Sequence, residues 1–261
     1  MKQDDCCSIE KCDVLDFMSN TVGMTVLHPG GLSATRQMAE ACQIGPQTRV
    51  LDNACGSGST AVYLAQKYGC HVVGVDISKE MVAQATALVR QKGLERQVSF
   101  READALALPF SADEFDVVVS QAMLILVSDK KQAVRETLRV TRPGGRLGWI
   151  ELSWKQPPTS EFLQIVSDVL CGYCMLNAQT FHGWETLFLE AGARQLKTMS
   201  SASMQMSGMR GWLADEGLLS ASRIMYRYLA NDRIRKRMDT MRRVFAENTQ
   251  YFGYGIYLGQ K

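Results

Sequence analysis

A chain of 261 residues in which 46% are apolar and 21% charged has enough apolar material for a substantial core, which excludes disordered, collagen-like and disulfide-scaffold classes. Its formal charge of +2 is local: residues 223–243 hold eight basic and two acidic side chains, leaving 21 basic and 25 acidic residues elsewhere. The segment from Met1 to Cys12 is polar and no apolar run approaches the ~20 residues of a spanning helix, so secretion and membrane insertion are disfavoured and a cytoplasmic location is expected.

A helical pattern from Leu32 to Cys42 stops at Gly45 and Pro46. Short β-branched runs then alternate with helical patterns: strand Arg49 to Asn53, helix Ser59 to Tyr68, strand His71 to Asp76, helix Lys79 to Lys92 and strand Val98 to Glu102. Strand Asp116 to Ser120, helix Asp129 to Thr141 and strand Arg146 to Leu152 follow, with Pro143-Gly144-Gly145 read as a turn between helix and strand. Five strands with intervening helices imply an α/β chain with a doubly wound parallel sheet. Past Pro157 and Pro158 come helical stretches Ser160 to Met175 and Gly183 to Glu190, and a strand Gln195 to Met199. Helical patterns Met209 to Leu229 and Asp232 to Glu247 read as a lid over the binding edge, ahead of a last strand, Tyr251 to Leu258. No repeat or linker divides the chain.

The first strand opens into Ala54-Cys55-Gly56-Ser57-Gly58 immediately before a helix. Small residues there let a ligand approach the backbone, and the helix amides favour polar or anionic groups. Asp76 ends the second strand, where a carboxylate accepts from both hydroxyls of a ribose. These signals indicate a nucleoside ligand and fit a dinucleotide as well as an adenosyl compound. Asp52 speaks for the second, because a carboxylate before the turn attracts an ammonium group and repels a pyrophosphate. Asp104, past the third strand, is placed to accept from an adenine amino group, with Ile77 and Leu106 flanking the ring.

The stretch from about Arg49 to Leu152 resembles the class I S-adenosylmethionine-dependent methyltransferases, particularly their ubiquinone/menaquinone-biosynthesis-like branch. The resemblance rests on VLDNACGSG, VVGVDIS, EADALALPF, FDVVVSQAMLILV and RETLRVTRPGGRLGWIE in that order. It implies a Rossmann-like, mostly parallel, seven-stranded sheet and S-adenosyl-L-methionine as cofactor. By position it implies Asp52 and the backbone of Ala54 and Gly56 near the methionine moiety, and Asp76 on the ribose. Ile77, Asp104 and Ala105 would surround adenine, and Gln121 would lie close to the methionine end and the acceptor. The family usually has Gly where this chain has Ala54, which adds a methyl group at a tight approach. The expected division is a tail and active-site loop (1–31), a cofactor-binding domain (32–207), a helical lid (208–250) and a last strand (251–261).

The expected reaction is methyl transfer to a small-molecule acceptor by in-line displacement, in which the protein mainly aligns the nucleophile and excludes water. A base is needed only for a protonated acceptor. His28, in the sharp loop Val26-Leu27-His28-Pro29-Gly30-Gly31, is the catalytic candidate, with His182 and Glu151 behind it; His28 equally suits a helix cap, and His71 reads as strand-edge structure. A nucleotide-binding oxidoreductase and a binding module without turnover are the alternatives outside this class.

Within it, VVVSQAMLILVSDKK and the passage from Cys174 to Gly192 are similar to arsenite methyltransferases, which bind trivalent arsenic through cysteine thiolates. Ala122 stands where one thiolate falls and Cys174 matches another, which makes Cys174 a substrate candidate; Cys6, Cys7 or Cys171 would have to replace the missing ligand. Cys171 and Cys174 form a C-x-x-C inside an apolar helical pattern, without two further ligands at zinc spacing, so core cysteines and no metal centre are expected. Met199, Met204, Met206, Met209, Met225, Met238 and Met241 fit a lid core or an adaptable acceptor pocket. The basic run spreads over more than one helix face, which favours a solvated surface over nucleic acid, and its spacing gives no clear amphipathic basic face for a membrane. The expected partner is therefore a small molecule; the sequence sets no oligomeric state.

Overall fold

Helix α1 (Asp13–Asp16) runs into a π-helix (Phe17–Val22), and a loop then leads to α2 (Gly31–Ala41). The alternating part follows as β1 (Arg49–Asn53), α3 (Ser59–Tyr68), β2 (His71–Asp76), α4 (Lys79–Lys92), β3 (Val98–Glu102), β4 (Phe115–Gln121), α5 (Lys130–Val140) and β5 (Thr141–Trp154). Then come α6 (Ser160–Val169), α7 (Gly172–Asn177), β6 (Gln179–Thr180), α8 (Phe181–Ala191), β7 (Arg194–Ser201), α9 (Met209–Ala230), α10 (Asp232–Glu247) and β8 (Phe252–Gln260). This computed structural model describes residues 13–170, 172–201 and 208–261, the side chains of 172, 173, 200 and 201 excepted. Cys6, Cys7, Cys171, Met204 and Met206 lie outside the described residues.

Among the described residues the strands form one sheet in the order β3-β2-β1-β4-β5-β8-β7, with the two-residue β6 beside the end of β5. β8 is antiparallel to both of its neighbours, and the remaining pairs are parallel. Strand order reverses at β1, which pairs β2 on one side and β4 on the other; in an open parallel sheet the crevice at such a reversal, beyond the carboxyl ends of the strands, is where ligands bind. Both faces are covered, which is why the strands read as apolar runs. Leu51, Val118, Leu147 and Trp149 face the layer holding α5 and α8, where Trp149 stacks on Phe188 at 4.3 Å. Val50, Val117, Val119 and Ile150 face Met38 of α2 and Leu64 of α3. Side chains of Ser78, Asp129, Thr159 and Thr180 accept from the first amides of α4, α5, α6 and α8, so the sequence marks each helix start locally.

Three readings change. The single helix expected from Ser160 to Met175 is broken at Leu170, whose extended backbone (φ −108°, ψ −174°) separates α6 from α7. Pro143-Gly144-Gly145 is carried within β5 as an irregularity: Phe115 pairs Thr141 and Val117 pairs Arg146, so two steps along β4 face five along β5, with Gly144 at φ +71°. β5 also runs on to Trp154, because β8 pairs it as far as Trp154 opposite Phe252.

α9 and α10 are inserted between β7 and β8, and α9 is kinked at Gly217 (φ 75°, ψ 172°). α9 packs on α2 and the π-helix, and α10 on α6. Met238 and Met241 are core residues, whereas Met209 is exposed.

Candidate active site

At the end of β1 the chain turns sharply. Cys55 N donates to Val75 O at 2.9 Å and Gly58 N to Cys55 O at 3.0 Å, while Ala54, Gly56 and Gly58 all have left-handed backbones, with φ of +65°, +52° and +84°. A Cβ on Gly58 would lie 2.8 Å from Ala85 and Phe100, so glycine there lets α3 seat against α4 and β3; a Cβ on Gly56 would meet nothing, so that face of the turn is open. Ala54 adopts the left-handed region without glycine's freedom. Ala54→Gly is therefore expected to raise unfolding stability by about 0.5–1 kcal/mol, the strain relieved less the added chain entropy of glycine. A calorimetric melting midpoint that fails to rise would show that the turn holds no strain at this residue.

Asp52, next to the turn, is 2% exposed, and its Oδ2 has no hydrogen-bond partner among the described residues. Burial, reinforced by the neighbouring Asp76 carboxylate, pushes the Asp52 carboxyl up to about 7. Asp76 accepts from Gly56 N through one oxygen and Ser78 N through the other, each at 2.9 Å. Burial raises its pKa against the opposing pull of these amides. Ile77 is 52% exposed although apolar, and Ala105 and Leu106 are half-buried. Asp104 is exposed, with one oxygen accepting from Leu106 N at 2.8 Å in a local turn. Asp52, Ala54, Gly56 and Asp76 thus meet at the carboxyl ends of β1 and β2, and Asp104 and Ala105 follow β3, the next strand.

Gln121 ends β4 and is tied to two helices: its Nε2 donates to Thr60 Oγ1 at 3.0 Å, and its Oε1 accepts from Thr35 Oγ1 at 2.9 Å. Thr35 Oγ1 lies 3.2 Å from His28 Nε2, and His28 Nδ1 donates to Pro29 O at 3.2 Å. Burial pulls the His28 imidazole down to about 4, so the ring is neutral at pH 7. The loop carrying His28 is clamped from α9. Glu216 accepts from Thr25 N at 2.8 Å, Val26 N at 3.0 Å and Thr25 Oγ1 at 2.7 Å, and Asp215 accepts from Leu32 N at 2.9 Å. Ser59, at the start of α3, donates to Thr25 O at 2.9 Å, which holds the loop beside the glycine turn.

The other candidates lie apart from this arrangement. Glu151 is fully buried and accepts from Met123 N at 3.2 Å and Leu124 N at 2.9 Å, anchoring the loop after β4; burial pushes it up to about 8. The His182 side chain is 91% exposed and His71 is exposed as well. Cys174 is buried in the main core with Phe162, Val166 and Leu170. Among the described residues no cluster of three or more His, Cys, Asp or Glu side chains is arranged to hold a metal. Sequence reasoning missed Thr35, Thr60, Asp215 and Glu216. The one local signal was an acidic pair directly before Gly217 inside a helical pattern.

Residues 50–145 match a family described as a methyltransferase domain. An uncharacterised protein of Haemophilus influenzae is 32% identical over 206 residues, which cover 78% of this chain and 81% of that protein. Methyltransferase GfsG of Streptomyces halstedii is 35% identical over 151 residues, covering 58% of this chain and 53% of its own, so the chain spans about half of that relative. Phosphoethanolamine N-methyltransferase 2 of Haemonchus contortus, solved with phosphomonomethylethanolamine and S-adenosylhomocysteine, has the same fold: TM-score 0.74 at 18% identity, over 98% of this chain and 61% of that one.

Proposed function

Because the chain belongs to the class I S-adenosylmethionine-dependent methyltransferases, we propose that it transfers the cofactor's methyl group in line to a small-molecule acceptor in the cytoplasm. The observation that carries the cofactor assignment is Asp52 Oδ2, a buried carboxylate oxygen without a partner among the described residues, beside a turn whose Gly56 face is open. An uncompensated buried carboxylate is costly, and a ligand ammonium offsets that cost. In this reading Asp52 and the backbone of Ala54 and Gly56 hold the methionine end, and Asp76 accepts from the ribose hydroxyls. Ile77, Asp104 and Ala105 border adenine, and the exposure of Ile77 leaves it apolar surface to give to a ring. Within the class we place the chain in the ubiquinone/menaquinone-biosynthesis-like branch, on the ordered motifs of residues 49–152. The burial of Cys174 in the core and the acidic pair at the turn favour neither a metalloid acceptor nor a nicotinamide dinucleotide.

When bound, the cofactor supplies a methyl carbon already activated by a sulfonium, so the protein's work is orientation. Gln121, fixed by Thr35 and Thr60, presents a rigid polar group between cofactor and acceptor. His28 is neutral at working pH and is proposed to take the proton of a protonated acceptor. The loop of residues 23–30, held by Glu216 and Asp215, excludes water from the crevice. The test is a panel of small-molecule acceptors with methyl-labelled cofactor, run on the wild type and on His28→Ala. Label should enter an acceptor, and the variant should lose about 100-fold in kcat while its cofactor Kd holds. Wild-type turnover in the variant would remove His28 from the mechanism, and cofactor binding without labelling of any acceptor would recast the chain as a binding module.

A further inference from the structure

α9 presents an apolar stripe to solvent. Leu218, Leu219, Tyr226 and Leu229 are 72%, 75%, 73% and 61% exposed, while Ala221 and Ile224 on the opposite side are buried. At about 100° per residue these four and Ser222 fall within an arc of roughly 100°, with Arg223 at one margin and Arg227 further round on the same side, where its Nη1 donates to Thr21 O at 3.2 Å. Over residues 223–243 as a whole the basic side chains spread around more than one face. The kink at Gly217 and the end of α9 at Ala230 set residues 218–229 apart as one straight segment, and the face is visible only there.

Residues 217–231 contain two arginines and no acidic residue. Clustered exposed leucines and a tyrosine, bordered by arginines and free of carboxylates, have the composition of a helix lying in an anionic lipid headgroup region. A second copy of the chain is a poorer fit, since two-fold pairing through this stripe would bring the Arg223 side chains of both copies to the seam with no carboxylate in the stripe to compensate. We propose that α9 docks the protein peripherally on an anionic lipid surface, inserting Leu218, Leu219, Tyr226 and Leu229 to headgroup depth. The stripe lies beyond the kink from Asp215 and Glu216, so lipid would contact the lid without displacing the clamp on the His28 loop.

Flotation of the full chain with vesicles of phosphatidylcholine alone, or of phosphatidylcholine mixed with phosphatidylglycerol, tests this. The protein should float with the mixed vesicles at least about tenfold more tightly than with phosphatidylcholine, and added salt should weaken that difference. Leu218→Glu/Leu219→Glu should abolish flotation, and Arg223→Gln should weaken it about fivefold on the anionic vesicles only. Unchanged circular dichroism and melting midpoints establish that the variants fold; should the double glutamate variant melt early, Leu219→Ser/Tyr226→Ser replaces it with the same expected loss. Absence of wild-type flotation on both vesicles, or flotation unaltered in the variants, overturns the proposal. So does a concentration-dependent dimer, seen by light scattering, that the same leucine substitutions dissolve.

Discussion

Asp76→Ala is expected to weaken S-adenosylmethionine binding by about two orders of magnitude, the loss of two hydrogen bonds to a charged acceptor at roughly 2–3 kcal/mol together. The substitution separates a task that the structure shows for this carboxylate from the one proposed for it. Accepting from Gly56 N and Ser78 N, it braces the glycine turn against the start of α4, a contribution present without ligand. The task proposed for it, accepting from a ribose, would be performed only with the cofactor bound. Bracing is read from the melting midpoint of the ligand-free protein, and ribose binding from calorimetric Kd. A lowered midpoint with unchanged Kd would leave Asp76 a structural residue and remove the ribose from the crevice as drawn.

The second large effect is on pH. Asp52 titrates at about 7 and Glu151 at about 8 in the folded protein, both raised chiefly by burial. Ordinary carboxyls titrate near ~4 in the unfolded chain, so the folded state binds more protons throughout the interval between. The stabilisation is full below the unfolded value and is lost as pH rises through the folded one, at up to about 1.4 kcal/mol per pH unit for each group. Denaturant melts of the ligand-free protein should therefore weaken from about pH 5 to about pH 8, opposite to the usual effect of salt-bridged carboxylates. Asp52→Asn should remove the part of the slope that levels off near pH 7, and Glu151→Gln the part that persists to about pH 8. Cofactor affinity should run the other way, since an ammonium favours ionised Asp52: below pH 7 it should fall about tenfold per unit, with a proton released on binding. An affinity profile that is flat, or that Asp52→Asn leaves sloped, would detach Asp52 from the ammonium.

What could be read from the sequence was what the chain writes locally. β1, α3, β2, α4 and β3 fall on the residues expected, because each apolar run is bounded by its own glycine, cap or charged residue. The break at Leu170 is marked only by Gly172, which opens α7 inside an otherwise continuous apolar pattern, and the far end of β5 depends on a partner strand about a hundred positions later, so neither stands out locally. The proposed cofactor side of the crevice was legible for the same reason: Asp52, Gly56 and Asp76 sit at or just past strand ends that the pattern itself marks. The surroundings of the proposed acceptor side were not. Gln121 takes its orientation from Thr35 and Thr60, 86 and 61 residues away, and the His28 loop takes its position from Glu216, 191 residues beyond Thr25. Contacts across such separations leave no periodicity to detect.

The place of β8 has a consequence for how the sheet assembles. It follows α9 and α10 in the chain, yet it lies between β5 and β7 and supplies β7's pairing to the sheet. Until β8 docks, β5 keeps an open edge and β7 has no strand to pair with, even with α9 and α10 already formed. Closure of the sheet therefore waits on Phe252–Gln260, and a chain cut ahead of Phe252 would leave the β5 edge bare and β7 detached from the sheet.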